Sequence, residues 1–238
     1  MKAAEFAAEL RDTIVARRSF GGHPLWLRIA SGGVSAGGLR IFARQFFLQV
    51  VEFPRAVSAL HAACPYREDR LALAESLYEE ETGRISGCDL PHPELFARFA
   101  AAVGVSAAEL AAAAALPATA ALIDWFQIST RTRPFLEGMA AITLAAEGQV
   151  PGAFGAFARD LESHYGLSSD DVAFWDIHEI ADADHSDVGD SAVARHAAGP
   201  ETQAGVREAV ARSLDAWWLF FDGMERAIDA EAESAIHA

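Results

Sequence analysis

The sequence predicts an all-α fold, a compact bundle of seven to nine helices. Two observations predict it. Apolar residues recur at the 3.6-residue helical period through almost the whole chain, and no segment alternates convincingly at period two or ends in a hairpin dipeptide. Helices with one apolar stripe must pack on one another to bury it, which makes a bundle the expected architecture.

The elements follow in order. MKAAEFAAELRDTIVARR is amphipathic and predicts a helix near 2–19, stopped at Gly21-Gly22-His23-Pro24. Ser31-Gly32-Gly33 marks the next break, and an aromatic-rich segment predicts a helix over 36–62 that ends at Cys64-Pro65. Helices are expected at about 67–82 and 93–103, separated by the turn from Gly87 to Pro93. The tract Ala111 to Ala115 favours helix and close packing. Further helices are expected at 117–132, 134–148 and 151–165. Ser168 is an N-cap for 169–187, with Asp170 and Asp171 in the first turn, where carboxylates complement the helix dipole. Gly199-Pro200 opens a long last helix near 201–233.

The 238 residues can bury one sizeable core, and the expectation is a single domain over 1–238. The net charge of −15 repels polyanions, which argues against nucleic acid or an anionic membrane as partner. No uncharged apolar run approaches the length of a membrane span, and the N-terminus lacks a secretory signal. Cys64 and Cys88 have no CxxC spacing and fit a reduced compartment. A cytoplasmic protein is expected.

Chemistry concentrates in HEIADADH, residues 178–185. His178, Asp182 and His185 stand at i, i+4 and i+7, so on a helix they share one face over two turns. Ala173, Phe174, Ile177, Ile180 and Ala181 supply an apolar face beside them. Two imidazoles and a carboxylate on one face make half of a transition-metal site; the same pattern also occurs on an acid-rich surface helix. Glu147 closes the core-forming segment PFLEGMAAITLAAEG and is either a bundle-facing ligand or an exposed terminal acid. Negative charge is disfavoured at a helix C-terminus, which suggests a reason for it there. Glu79, Glu80 and Glu81 end one helix, and His92 sits between two prolines at the start of the next. Consecutive acids mark a solvated end as readily as an inward ligand.

The order Glu … His … Glu … His-x3-Asp-x2-His resembles the haem-oxygenase-like diiron oxidases and oxygenases, relatives of thiaminase II and the pyrroloquinoline quinone synthase fold. HPLWLRIASGGVSAGGLRIFARQFFLQVVEFPRAVSAL resembles their first two helices; LYEEETG with HPELF resembles their first Glu/His pair. AAEGQVPGAF, LESHYGL and FWDIHEIADADH resemble their second half, so the likeness runs over about residues 20–190. It implies a haem-oxygenase-like bundle with metal and catalytic residues Glu81, His92, Glu147, His178, Asp182 and His185. Glu80 is the alternative to Glu81 as inward acid, and Glu52 matches the place of an extra carboxylate in some members.

Three histidines and three carboxylates suit two iron ions, Fe(II)/Fe(III), better than one zinc, with manganese as the other oxygen-ligand choice. The resemblance implies O2 as co-substrate, a peroxo-bridged oxidant, and a small amine- or carboxylate-bearing substrate that undergoes N-oxygenation, desaturation or C–C cleavage. An external electron donor and a homodimer are further expectations. One ion is expected first on the preorganised 178–185 helix, with a second, weaker one at Glu81 and His92, where the Gly- and Pro-rich segment must be ordered. Phe46, Phe47, Trp125, Phe126, Phe154 and Trp175 either line an apolar pocket or are plain core; Arg131 and Arg133 are candidates to clamp a substrate carboxylate. Two other classes share the fold. One is a metal-free enzyme like thiaminase II, which needs an activated cysteine, or like the quinone synthase; the other is a non-catalytic binder of metal or cofactor.

Overall fold

The computed structural model describes residues 1–236, with the side chains of 180–187 and 235–236 left undescribed. Eleven α-helices are present among these residues, and no strand. They are α1 (Ala3–Arg17), α2 (Pro24–Ala30), α3 (Ala36–Ala63), α4 (Arg67–Thr82), α5 (His92–Ala102), α6 (Ala107–Ala111), α7 (Pro117–Arg131), α8 (Phe135–Met139), α9 (Phe154–Tyr165), α10 (Ser169–His196) and α11 (Pro200–Ile236). The count exceeds the expected seven to nine because α2 and α6 are short helices outside the segments expected to be helical. No helix is long and apolar enough to cross a membrane.

The largest departure from the sequence expectation is at 134–148. Instead of one helix, α8 gives way to a π-helical turn over Ala140–Leu144 and then a 3-10 turn over Glu147–Gln149. The π-turn shows in the Ala145 amide donating to the Ala140 carbonyl at 2.9 Å, one residue wider than an α-helix allows. A wide turn loosens the carbonyl ladder, and two hydroxyls repair it. Thr143 Oγ1 donates to the Met139 carbonyl at 2.8 Å, and Ser213 Oγ of α11 donates to the Ala141 carbonyl at 2.6 Å. The whole turn is buried.

α3 forms the spine, packed on α4, α5, α7 and α11, while α10 packs on α1, α5, α9 and the π-turn. Between them lies an aromatic core centred on the fully buried Trp175. Phe42, Phe46, Phe96, Phe99, Phe154 and Phe157 surround its ring at centroid distances from 4.9 to 6.2 Å. Truncating such a residue to alanine typically costs about 3–5 kcal/mol. α10 begins as the sequence predicts, with Ser168 and Asp171 forming a capping box, but it runs nine residues past 187. Its far end is clamped to α4: the buried Asp69 carboxylate accepts from Arg195 and, at 2.9 Å, from His196 Nε2.

α10 crosses the π-turn at Gly189. A Cβ there would meet Thr143 Oγ1 at 2.4 Å and the Leu144 amide nitrogen at 2.8 Å, so only glycine permits the approach. Gly189→Ala is expected to destabilise the fold by about 1–3 kcal/mol through overpacking, read as a lowered melting temperature. Unchanged melting would mean that α10 and the π-turn are not in close contact.

Candidate metal centre

Glu79 and Glu80 occupy the last turn of α4, where the helix dipole opposes negative charge, and no basic residue stands in that turn to offset it. Both are nevertheless buried, at 0% and 3% exposure. The chain ends α4 at Gly83 in the left-handed conformation (φ 61°), and a Cβ there would fall 2.2 Å from both Cys88 Sγ and the Leu90 carbonyl. The loop folds tightly over this glycine, with the Cys88 and Asp89 amides donating to the Gly83 carbonyl. It delivers His92, the first residue of α5, back onto the two acids. His92 Nδ1 stands 3.0 Å from Glu80 Oε1, and Nε2 stands 3.4 Å from Glu79 Oε1.

His178 enters from α10. Its Nδ1 lies 2.7 Å from the Phe174 carbonyl, which can only accept, so Nδ1 carries the proton and Nε2 keeps its lone pair. The rings of His92 and His178 are 4.4 Å apart. Glu80, His92 and His178 each bring one ligand atom to within 4.8 Å of the other two, all buried. The 3.0 Å between His92 Nδ1 and Glu80 Oε1 matches two donors sharing one ion at bonds of about 2.1 Å.

Glu147 reaches the same space from the 3-10 turn. It is 4% exposed and lines a cavity of about 50 Å³ together with Glu80 and His178. The rest of the wall is Phe20, Phe46, Gln49, Val50, Phe53, Ala146, Val150, Phe154, Phe174 and Trp217, with no Lys or Arg among the described residues. Two tethers hold Glu147 there. Buried Gln149 accepts from the amide and hydroxyl of Ser19 at 2.8 and 2.9 Å and donates to the Ala145 carbonyl. Glu179, the neighbour of His178, accepts from the Gly152 and Gly155 amides at 2.6 and 3.0 Å. The residues present therefore fit a metal: buried imidazole and carboxylate donors converge at an aromatic-lined cavity, the mixed set that suits iron or manganese.

Several expectations change. Glu81 is exposed and faces a surface groove with Arg55 and Arg131; the inward acid is Glu80, because successive residues of a helix point about 100° apart. Glu52 pairs with Arg55 at 2.9 Å, and Gln49, one turn earlier, faces the cavity in its place. Arg133 binds Glu137 at 2.6 Å, so neither expected arginine is at the site. His92 and His178, expected at different ions, lie in one cluster. The loop has hydrogen bonds of its own, since Glu79 accepts from the Ile85 and Ser86 amides at 2.7 and 3.2 Å. Burial pushes the Glu79 carboxyl up, but these hydrogen bonds and the nearby His92 outweigh it and hold the group below the ordinary carboxylate range. The side chains of Asp182 and His185 lie outside the described residues.

Phe46 and Phe154 line the cavity, whereas Trp175 and Phe126 are core and Phe47 and Trp125 lie away from it. Phe20, Phe53 and Trp217 carried no sequence signal for the site; Phe174 did, one turn before His178. Neither cysteine lines the cavity. Burial raises the Cys64 thiol, which donates to the Tyr66 carbonyl, so it is a poor nucleophile. A second buried histidine, His23, stands beside Asp222 and Glu225. Its Nδ1 accepts from the Leu25 amide and its Nε2–H faces Asp222 at 3.0 Å, so both nitrogens serve the fold. Metal analysis should separate the acids of α4: Glu80→Gln is expected to lose most of its bound iron and Glu81→Gln to keep it. The reverse result would place Glu81 at the centre.

Known proteins resemble the chain in sequence and in fold. The family described as iron-containing redox enzymes matches residues 40–218. A 4-aminobenzoate synthase of Nitrosomonas europaea is 32% identical over 223 residues, covering 90% of this chain and 88% of that protein. Among solved structures, a TenA homologue of Pseudomonas syringae superposes with a TM-score of 0.74 at 18% identity, covering 94% of this chain and 93% of its own. A protein from Shewanella denitrificans, described as a domain of unknown function with a haem-oxygenase-like fold, gives 0.73 at 15% identity, with 94% and 90% covered. The fold is haem-oxygenase-like, and the chain belongs to the iron-containing redox enzyme family.

Proposed function

We propose that this protein is an O2-dependent non-haem diiron oxidoreductase acting on a small amine-bearing metabolite. The observation that carries the reading is the convergence of Glu80, His92 and His178 in one buried cluster, with Glu147 on the wall of the same cavity. These four, with Asp182 and His185 on the next two turns of α10, are the residues that would hold two irons. Bound iron would supply the activation of O2 and the oxidation of the substrate, by N-oxygenation, desaturation or C–C cleavage.

The chain's own residues set the conditions for that chemistry. Carboxylates offset the charge of the ions and can change binding mode as it changes; the Phe174 carbonyl and Glu79 orient the two imidazoles. The ring-lined wall excludes water, which protects an oxidant from solvent. At about 50 Å³ the cavity takes a diatomic gas and a few water-sized groups. A ring needs more: a cavity of about 150 Å³ accommodates benzene, so an aromatic substrate requires wall side chains to swing aside. With carboxylates and no Lys or Arg among the described residues of the wall, an amine is better matched than an isolated carboxylate. The Trp217 indole N–H is buried in this wall with no acceptor among the described residues, and is available to a polar atom of the substrate. The name 4-aminobenzoate synthase, carried by the relative, supports an arylamine as the product class to test first.

The test is anaerobic loading with ferrous iron, metal counting, and O2 uptake with and without aniline, benzoate and 4-aminobenzoate. Two irons per chain and uptake accelerated by an amine are expected. No iron bound, or no uptake by the loaded protein, would overturn the reading.

A further inference from the structure

We propose that Glu79 is a positioning residue of the metal centre: it holds the Nε2–H of His92 and thereby commits Nδ1, the nitrogen beside Glu80, to the metal. The inference rests on the metal-centre reading above and adds a residue outside the ligand set to it.

Three features carry it. First, Glu79 is buried and its carboxylate is fixed from both ends. Oε2 accepts from the Ile85 and Ser86 amides at 2.7 and 3.2 Å, so the group cannot rotate away without stranding two loop amides. Second, that fixed orientation places Oε1 3.4 Å from His92 Nε2. Each ring nitrogen faces a carboxylate oxygen and a neutral imidazole has one proton, so a metal held between Nδ1 and Glu80 leaves that proton to Nε2, where Glu79 accepts it. Third, the other ring nitrogen points where a ligand atom is wanted, 3.0 Å from Glu80 Oε1 and within the cluster completed by His178. The arrangement is a carboxylate–histidine–metal relay, in which an outer acid sets the tautomer and raises the basicity of the ligating nitrogen. It mirrors His178, whose Nδ1 is held by the Phe174 carbonyl. One histidine thus ligates through Nδ1 and the other through Nε2. The same carboxylate that steers the ring also pins the loop carrying it, so a single residue couples loop order to ligand geometry.

The experiment uses the full-length protein labelled with 15N-histidine and loaded with Zn(II) as a diamagnetic probe. Long-range 1H–15N correlations, assigned by their loss in His92→Ala, report which nitrogen of His92 carries the proton. Wild type is expected to show a proton on Nε2 and coordination through Nδ1. Glu79→Gln fills the same space but cannot accept from both loop amides and from His92; its zinc affinity is expected to fall about 10- to 100-fold, with the Nε2–H signal shifted or lost to exchange and helical content retained. Coordination through Nε2 in wild type overturns this proposal alone, and that result stands even if Glu79→Gln fails to fold. A Glu79→Gln protein with unchanged affinity and unchanged His92 signals also overturns it. Wild type that takes up neither zinc nor iron overturns the metal reading and this proposal together.

Discussion

Three carboxylates are buried where a protein interior least tolerates them. Glu79 and Glu80 end α4 against the unfavourable pole of the helix dipole, and Glu147 opens a 3-10 turn inside the core. The effective cost of desolvating an ion is several kcal/mol each unless charge or hydrogen bonds repay it. Glu79 is repaid by two loop amides and His92. Glu80 stands 3.0 Å from His92 Nδ1, and with Glu147 it lines a cavity whose described wall also carries His178. The proposed iron ions would add their positive charge to this cluster of buried acids.

The architecture serves that requirement. The proposed ligands come from four segments, so the centre is only as well defined as the joints between them. Asp69 ties the end of α10 to α4 through Arg195 and His196. Glu179 ties α10 to the turn after Glu147, and Gln149 ties that turn to Ser19 before α2. The π-turn over Ala140–Leu144 lets the chain turn Glu147 into the cavity rather than carrying an α-helix past it, and Ser213, Thr143 and Gly189 are the residues that make the wide turn tolerable. π-turns concentrate at functional sites for this reason: they cost hydrogen-bond geometry and are kept where they aim a side chain.

The helical class and most helix positions were legible because amphipathic periodicity and punctuation are local signals, as at Ser168 and Gly199-Pro200. The inward direction of His178 was legible too, from the apolar residues beside it. Which of Glu80 and Glu81 turns inward was not, since consecutive acids on a helix end carry the same local pattern and the choice depends on how α4 sits against α3 and α10. The break at 140–149 was hidden because AAITLAAEGQ is a good α-helical sequence whose π-turn is selected by tertiary contacts from α10 and α11. Glu79 was hidden as well: its role exists only once the loop 83–91 has folded back over it.

Diffraction from crystals of the iron-loaded protein, collected at the iron absorption edge, tests the central claim most directly. The account predicts anomalous peaks inside the aromatic cavity, one within bonding distance of Glu80, His92 and His178 and another toward Glu147. Iron found only at His23, Asp222 and Glu225 or on the acidic surface, with the cavity free of metal, would contradict it.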